Sequence, residues 1–247
     1  MDLGVSGKVV LITGGGGALG AAMAKTFAAE GARVAVLDLN QETAEASAEA
    51  VRAEGGEAVA LAADIIDKEQ VAAAFARMKA ELGAVDMLVN NAGFSRDSYL
   101  TRMDEANWDL VHNTVLKGTF HCCRAALPDM MDRQFGRIVN ISSMSYYGTA
   151  GQTNYSSAKA GLIGMTNALA REAGRFNITV NAVAPALIVT PRLRQRPDFD
   201  KLEQRSKLTT PLPRLGVPED IAKAVLFFCS SLADFVSAQT INVSGGR

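Results

Sequence analysis

The chain has 247 residues, of which 25 are Lys or Arg, 26 are Asp or Glu, and 48% are apolar. This length suffices for a full hydrophobic core, and the net charge of −1 argues against a nucleic-acid binder. No apolar run reaches the ~18 residues of a membrane span, and the start Met1-Asp2-Leu3 lacks the cations of a signal peptide. We therefore expect one cytoplasmic domain over residues 1–247, with neither nucleic acid nor a membrane as partner.

Short β-branched runs alternate with longer Ala-rich stretches along the chain. This alternation predicts a doubly wound, Rossmann-type α/β fold, a sheet of about seven parallel strands with helices on both faces. Asn40 and Asp67 stand where helix N-caps are expected. Ligands of such a sheet bind beyond the carboxyl ends of its strands. The predicted strands are Val9–Thr13, Arg33–Asp38, Ala58–Ala62, Met87–Asn90, 137–141, 179–183 and Thr240–Val243.

Prolines interrupt the alternation late in the chain. Six of the seven prolines lie between Pro185 and Pro218, which predicts an irregular substrate lid over about residues 186–217. Residues 190–214 also hold seven basic residues against three acidic ones, so the lid could close over an acidic or phosphorylated substrate. A solvated helix face explains the same charges. The basic residues are Arg192, Arg194, Arg196, Lys201, Arg205, Lys207 and Arg214.

A glycine-rich turn joins the first strand to the first helix. Glycines let the backbone approach a pyrophosphate, and the helix start supplies free N–H groups and a positive dipole end. Asp38 ends the second strand, 18 residues after Gly20, and a carboxylate there can bind the adenosine ribose hydroxyls. A 2′-phosphate would meet like charge at Asp38, with nothing basic in residues 14–17, so NAD(H) is favoured over NADP(H). Turn chemistry is the alternative role of Asp38.

Tyr155 and Lys159 are spaced i and i+4, so their side chains share one face of a predicted helix. Lowering a tyrosine pKa from ~10 to ~7 requires about 4 kcal/mol. One cation at ~4 Å supplies roughly that amount at an effective dielectric of 20. Lys159 is therefore expected to lower the pKa of Tyr155. Ser142 and Ser143 end a strand, where a hydroxyl can face the same crevice.

With these motifs the chain resembles the short-chain dehydrogenase/reductase family in its compact single-domain form, over essentially all 247 residues. The resemblance implies hydride transfer between a nicotinamide and an alcohol or carbonyl. Tyr155 would be the acid/base, Ser143 would hold the substrate oxygen, Lys159 would bind the nicotinamide ribose, and the assembly would be a homotetramer. Ser143 precedes Tyr155 by twelve residues, whereas the family's frequent spacing of thirteen points to Ser142. We predict Ser143.

The resemblance also implies which residues contact the cofactor. Asp64, otherwise a loop-turn residue, and Ile65 would bracket the adenine, and Thr190 would hold the carboxamide. The full set expected at the cofactor is Gly14, Gly17, Leu19, Gly20, Asp38, Asp64, Ile65, Asn91, Ala92, Gly93, Tyr155, Lys159, Pro185 and Thr190.

The sequence departs from the family at several positions. Ala18 and Ala186 replace glycines, and Val115 replaces the asparagine of the family's proton relay. Asn113 is two residues earlier, roughly 200° around a helix from Val115, and is expected to face elsewhere as a surface residue.

Other chemistry-bearing residues are assigned as follows. His121, Cys122 and Cys123 are consecutive on a predicted helix and fan apart, so no metal site is expected, and the cysteines are expected to be reduced and buried. Four side chains flank the predicted crevice and are candidates for the substrate pocket: Phe94, Met144, Tyr146 and Tyr147.

The leading hypothesis is an NAD-dependent secondary-alcohol dehydrogenase or ketone reductase acting on a small molecule. A second is a 3-oxoacyl-thioester reductase that uses NADPH, for which Arg133 and Arg175 lie near the places expected for carrier-binding cations. A third is a nucleotide-binding protein with impaired catalysis, because Val115 replaces the family asparagine.

Overall fold

The computed structural model describes residues 2–247, and within them seven parallel strands form one sheet in the order β3-β2-β1-β4-β5-β6-β7. This confirms the predicted fold class. Five strands have the predicted bounds, whereas β5 begins one residue earlier and β6 is longer at both ends. The strands are β1 (Val9–Thr13), β2 (Arg33–Asp38), β3 (Ala58–Ala62), β4 (Met87–Asn90), β5 (Gly136–Ile141), β6 (Ile178–Pro185) and β7 (Thr240–Val243).

Helices fill the connections between the strands. Asn40 and Asp67 cap α2 and α3 as predicted, because each side chain accepts hydrogen bonds from two backbone N–H groups of the first helical turn. Within residues 2–247 no helix is long and apolar enough to cross a membrane. The helices are α1 (Ala18–Ala29), α2 (Gln41–Ala53), α3 (Lys68–Glu81), α4 (Glu105–His112), α5 (Gly118–Asp132), α6 (Thr153–Ala173), α7 (Pro191–Arg194), α8 (Phe199–Thr209) and α9 (Pro218–Cys229).

The sheet is buried on both faces, which explains the continuous apolar runs of its strands. Val10 and Ile12 of β1 pack on one face with Phe228 of α9. Val9 and Leu11 pack on the other face with helices α3 and α5. A polar ligand can therefore bind only at the ends of the strands. Strands β1 and β4 are neighbours, and the chain continues from β1 to β2 on one side and from β4 to β5 on the other. A crevice opens at this point, at the strand carboxyl ends.

The predicted irregular lid contains two helices, α7 and α8, so the prediction of irregular structure over residues 186–217 was wrong for these segments. The prolines explain the difference by their positions. Pro191 occupies the first turn of α7, where its missing N–H costs nothing, and Pro197 lies between the helices. Proline density therefore marked the helix boundaries and did not exclude helices.

A buried polar chain ties α6 to the centre of the sheet. The Asn90 amide donates to Asn140 Oδ1 at 2.9 Å, and the Asn140 amide donates to Thr166 Oγ1 at 2.9 Å. All three side chains are almost fully buried. Since β4, β5 and α6 each contribute one residue, the chain fixes the helix that bears Tyr155 and Lys159 against the strands.

We expect Asn140→Leu to lower the free energy of unfolding by about 2 kcal/mol, because it leaves the buried Asn90 amide without its oxygen acceptor. The double variant Asn90→Leu/Asn140→Leu removes both partners and is expected to regain part of that loss. Urea unfolding of the parent, of Asn90→Leu, of Asn140→Leu and of the double variant measures these free energies. A double variant that loses as much as the sum of the two single variants would contradict this account.

Candidate active site

The glycine turn and the loop after β4 are joined by a dense set of hydrogen bonds. Thr13 Oγ1 accepts from the backbone N–H groups of Asn91 and Ala92, both at 3.0 Å. The Asn91 amide donates to the carbonyls of Thr13 and Gly14 at 2.9 and 3.1 Å. Gly14 has φ +61°, and a Cβ there would lie 2.9 Å from the Ala92 Cα. The carboxyl ends of β1 and β4 are thereby held together.

The start of α1 has the form of an anion site. Gly17 is its N-cap and provides no side-chain cap, so the first N–H groups of this 12-residue helix have no side-chain acceptor from that position. Gly20 packs behind the turn, where a Cβ would lie 2.4 Å from the Gly14 carbonyl oxygen. Ala18 lines the crevice, so the turn accommodates the methyl group that replaces a glycine of the family.

Asp38 faces the same crevice from the end of β2. Its Oδ2 accepts from the Gly16 N–H at 3.0 Å, and its Oδ1 accepts from the Asn40 N–H at 3.2 Å. The carboxylate is partly exposed to the crevice and retains further lone pairs. Turn chemistry and a ligand-binding role are therefore compatible in this residue, whereas the sequence presented them as alternatives.

The crevice has a volume of about 770 Å³, which is ample for an extended dinucleotide. Phe94, expected in the substrate pocket, also lies on its wall. The residues expected at the cofactor that line it are Gly14, Gly17, Leu19, Asp38, Asp64, Ile65, Asn91, Ala92, Gly93, Tyr155, Lys159 and Pro185.

Two of the expected cofactor residues lie elsewhere. Gly20 supports the turn from behind, and Thr190 Oγ1 caps α7 by accepting from the Leu193 N–H at 3.2 Å. Ile188 and Arg192 line the crevice in this region. Thr190 cannot be distinguished from its neighbours by sequence, because the lid backbone decides which of them faces inward.

Part of the crevice wall consists of residues that the sequence motifs did not predict. Ala63 directly follows β3, so its place at a strand carboxyl end was a usable signal. Thr114 had no such signal, because it lies on an unexpected π-helical turn. The remaining unpredicted wall residues include Leu37, Leu39, Ile66, Arg96, Leu110, Ile141, Ser142 and Ala186.

Tyr155, Lys159 and Ser143 are brought together at the end of the crevice. Lys159 is buried, and its Nζ donates to the Ile141 carbonyl at 2.5 Å and lies 5.5 Å from the centroid of the Tyr155 ring. Ser143 lies close to Tyr155, whose pKa its hydroxyl lowers, and Ser143 Oγ accepts from the Ser145 N–H at 3.1 Å. Ser142 Oγ instead donates to the Lys159 carbonyl at 3.0 Å. The structure therefore places Ser143, and not Ser142, beside the tyrosine.

Burial dominates the electrostatics of this cluster. It raises the pKa of Tyr155, and the nearby Ser143 hydroxyl opposes that shift. Burial also lowers the pKa of Lys159 to about 8. The structure does not reproduce the expected lowering of the tyrosine pKa by Lys159. That expectation counted the attraction between the charges and left out the cost of removing both groups from water.

Val115 lies beside the lysine, where the resemblance places the relay asparagine. A Cβ on Gly93 would be 3.3 Å from both Val115 Cγ2 and Lys159 Nζ. Val115 is fully buried and packs with Val111 in a small apolar cluster. It lies on a π-helical turn, Asn113–Lys117, between α4 and α5. Asn113 lies outside the crevice as predicted, although it is half-buried rather than exposed.

A second cavity of about 630 Å³ adjoins the first and shares Ser143, Tyr155 and Pro185 with it. Met144 and Tyr147 line this cavity, as expected for substrate-pocket residues. Tyr146 lies outside both cavities, and its hydroxyl donates to Asn242 Oδ1 at 3.3 Å.

Within residues 2–247 no group of three or more His, Cys, Asp or Glu side chains could hold a metal ion. Cys122, Cys123 and Cys229 are buried free thiols.

Several known proteins are similar to this chain in sequence and fold. A family model described as enoyl-(acyl carrier protein) reductase matches residues 16–247. The (2S)-[(R)-hydroxy(phenyl)methyl]succinyl-CoA dehydrogenase subunit BbsD of Thauera aromatica is 42% identical, over 99% of this chain and 98% of that protein. The 3-oxoacyl-[acyl-carrier-protein] reductase FabG of Thermotoga maritima is 39% identical, over 98% of each. The crystal structure of levodione reductase superposes with a TM-score of 0.92 at 34% identity, over 98% of this chain and 97% of that one.

The parallel sheet, the dinucleotide-sized crevice and these similarities define a hydride-transfer oxidoreductase that uses a nicotinamide cofactor. The chain belongs to the short-chain dehydrogenase/reductase family.

The two serines are expected to respond differently to substitution. Ser143→Ala removes the hydroxyl beside Tyr155 and is expected to lower kcat by about 10²- to 10³-fold, the scale of losing one donor to a reacting oxygen. Ser142→Ala removes a hydrogen bond to the Lys159 carbonyl and is expected to cost about 1 kcal/mol of unfolding free energy, with kcat changed by only severalfold. Steady-state kinetics and urea unfolding of both variants measure these effects. The reverse pattern would assign the reacting hydroxyl to Ser142.

Proposed function

We propose that the protein transfers a hydride between NAD(H) and a secondary alcohol or ketone. The observation that carries the proposal is the meeting of Ser143, Tyr155 and buried Lys159 where the large crevice joins the second cavity. A hydroxyl pair beside a buried amine suits proton exchange with a substrate oxygen. The adjoining crevice suits the cofactor.

The residues have separate roles in this proposal. Ser143 holds the substrate oxygen, Tyr155 gives or takes its proton, and Lys159 binds the nicotinamide ribose. The nicotinamide supplies or accepts the hydride. The free N–H groups at the start of α1 receive the pyrophosphate, and Asp38 receives the adenosine ribose.

Asp38 supports NAD(H) as the preferred cofactor. Its carboxylate faces the crevice, and both of its oxygens are held by the backbone N–H groups of Gly16 and Asn40. A dianionic 2′-phosphate beside this charge would be repelled. With NADP(H) bound, the Asp38 carboxylate would also lose the hydrogen bonds that it would make to the ribose hydroxyls of NAD(H).

Asp38→Asn retains an oxygen acceptor for the turn and removes the charge. We expect it to narrow the ratio of the NADP(H) and NAD(H) dissociation constants by about tenfold, equivalent to ~1.4 kcal/mol. Fluorescence titration of both reduced cofactors measures the ratio. Asp67→Asn, at the cap of α3 away from the crevice, is the matched control. An unchanged ratio in Asp38→Asn would show that the Asp38 carboxylate does not set the cofactor preference.

Two other functions from the sequence analysis remain candidates. The names of BbsD, a [hydroxy(phenyl)methyl]succinyl-CoA dehydrogenase subunit, and FabG, a 3-oxoacyl-[acyl-carrier-protein] reductase, favour an acyl thioester as the substrate of the second candidate. Its cofactor would be NADPH. Impaired catalysis rests on Val115 alone. The assembled Ser143, Tyr155 and Lys159 argue against it.

We also propose a homotetramer and a cytoplasmic location. Apolar side chains on and near α9 and β7 are exposed, among them Phe227, Leu232, Phe235 and Ile241, and such a surface suits association between copies. The buried free thiols suit a reducing compartment.

Tyr155→Phe tests the proposed chemistry. It removes one hydroxyl and keeps the ring beside the cofactor crevice, so turnover is expected to fall by about 10²- to 10⁴-fold. NADH affinity is expected to change little, because Gly14 and Asp38 are untouched. The assay is a spectrophotometric screen with NADH and NADPH against ketones, alcohols and 3-oxoacyl thioesters, on protein whose assembly has been checked by light scattering. Turnover of the variant at the parental rate would refute the role of Tyr155.

A further inference from the structure

Three arginine side chains line the second cavity. Of the seven basic residues in the lid segment, Arg196 and Arg205 line this cavity, and Arg247 joins them from the end of the described chain. Arg192 lines the cofactor crevice instead. The structure therefore divides a charge run that was uniform in the sequence.

The basic residues also differ in their ion pairs. Lys207 is paired with Glu203, and Arg214 is paired with Asp220 through two hydrogen bonds. In the cavity Arg196 is paired with Asp198, but across residues 2–247 neither Arg205 nor Arg247 has a carboxylate within 4.0 Å. Two guanidinium groups on the cavity wall thus lack a carboxylate partner.

One acidic side chain, Asp97, lines the cavity among its described residues. Both oxygens of Asp97 accept from the Gln152 amide at 3.1 Å, and Gln152 Oε1 accepts from Ser145 Oγ at 2.9 Å. Gln152 thereby holds the Asp97 carboxylate, which lies near enough to Arg196 and Tyr155 to raise the pKa of each. Because Arg196 is already paired with Asp198, two unpaired guanidinium groups and the Asp97 carboxylate remain in the lining, and the resulting net positive charge favours an anion.

Helix α8 contributes both a basic and an apolar side chain to the cavity lining. Leu202, Arg205 and Ser206 are spaced i, i+3 and i+4, and all three line the cavity. Leu193 of α7 adds to the apolar part. The same cavity reaches Ser143 and Tyr155, so one molecule can touch both the reacting hydroxyls and the guanidinium groups.

We propose that the substrate bears an anionic group, a carboxylate or a phosphate, which Arg205 binds together with Arg247 while its carbonyl lies at Ser143 and Tyr155. A guanidinium fork matches the two oxygens of either anion. The proposal rests on the proposed function for the position of the carbonyl. The anion site itself rests on the unpaired guanidinium groups.

The test measures binding to the enzyme–NAD⁺ complex by calorimetry, with charged probes and their neutral analogues, because a ketone cannot be reduced in the presence of the oxidised cofactor. Levulinate against methyl levulinate tests a carboxylate. Acetoacetyl-CoA against the N-acetylcysteamine thioester of acetoacetate tests a phosphate-bearing substrate. Parent protein is compared with Arg205→Gln and with Lys201→Gln, a control on the same helix whose side chain does not line the cavity.

Arg205→Gln is expected to weaken binding of the preferred charged probe by about tenfold, the scale of a charge-assisted hydrogen bond partly screened by solvent. The neutral analogue and Lys201→Gln are expected to show no change. The probe pair that responds identifies the anion. If neither charged probe binds the parent more tightly than its neutral analogue, or if Lys201→Gln loses as much as Arg205→Gln, these charges form a solvated helix face and the proposal is overturned.

Turnover of the same probes separates this proposal from the proposed function. With both correct, Arg205→Gln raises KM for the charged probe and leaves kcat and the neutral probe unchanged. Selective charged-probe binding that depends on Arg205, without NADH oxidation by the parent, would refute the proposed function and leave the anion site standing. Equal turnover of charged and neutral probes by both proteins would refute the anion site and leave the proposed function standing.

Discussion

Burial of the parallel sheet on both faces determines where this protein can bind a polar ligand. Side chains of β1 alternate between two apolar layers, with Val10 and Ile12 on one side and Val9 and Leu11 on the other. Neither face has room for a charged molecule. Free backbone groups occur where the strands end, and the hydroxyl of Thr13 ties two of these ends together. The crevice lies at these strand ends, and many of its lining residues come from the loops that follow them.

Removal from water determines the electrostatics of Lys159 and Tyr155. Lys159 is buried with the Ile141 carbonyl as its acceptor, and burial lowers its pKa to about 8. The same environment raises the pKa of Tyr155. Val115 adds a fully buried apolar side chain beside the lysine.

The lid segment contributes basic side chains to both cavities. Its two helices direct some basic residues into cavities and leave others in ion pairs at the surface, so the count of charges in the segment says little about the ligand. Arg205 and Leu202 of α8 line the second cavity, whereas Lys201 of the same helix does not. An apolar surface between the reacting hydroxyls and a basic wall suits a substrate with an apolar middle and an anionic end.

The sequence by itself determined the fold, most of the strand bounds, the glycine turn and the Tyr155/Lys159 pair. These features are local: doubly buried strands appear as β-branched runs, and an i, i+4 spacing fixes two side chains on one helix face. Tertiary structure decided that Ser143 and not Ser142 meets Tyr155, that Thr190 caps a helix, and that burial raises the tyrosine pKa. It also decided which lid arginines face the substrate cavity. The physical reason is that each of these outcomes depends on desolvation or on contacts between segments far apart in the chain, which exist only once the elements have packed.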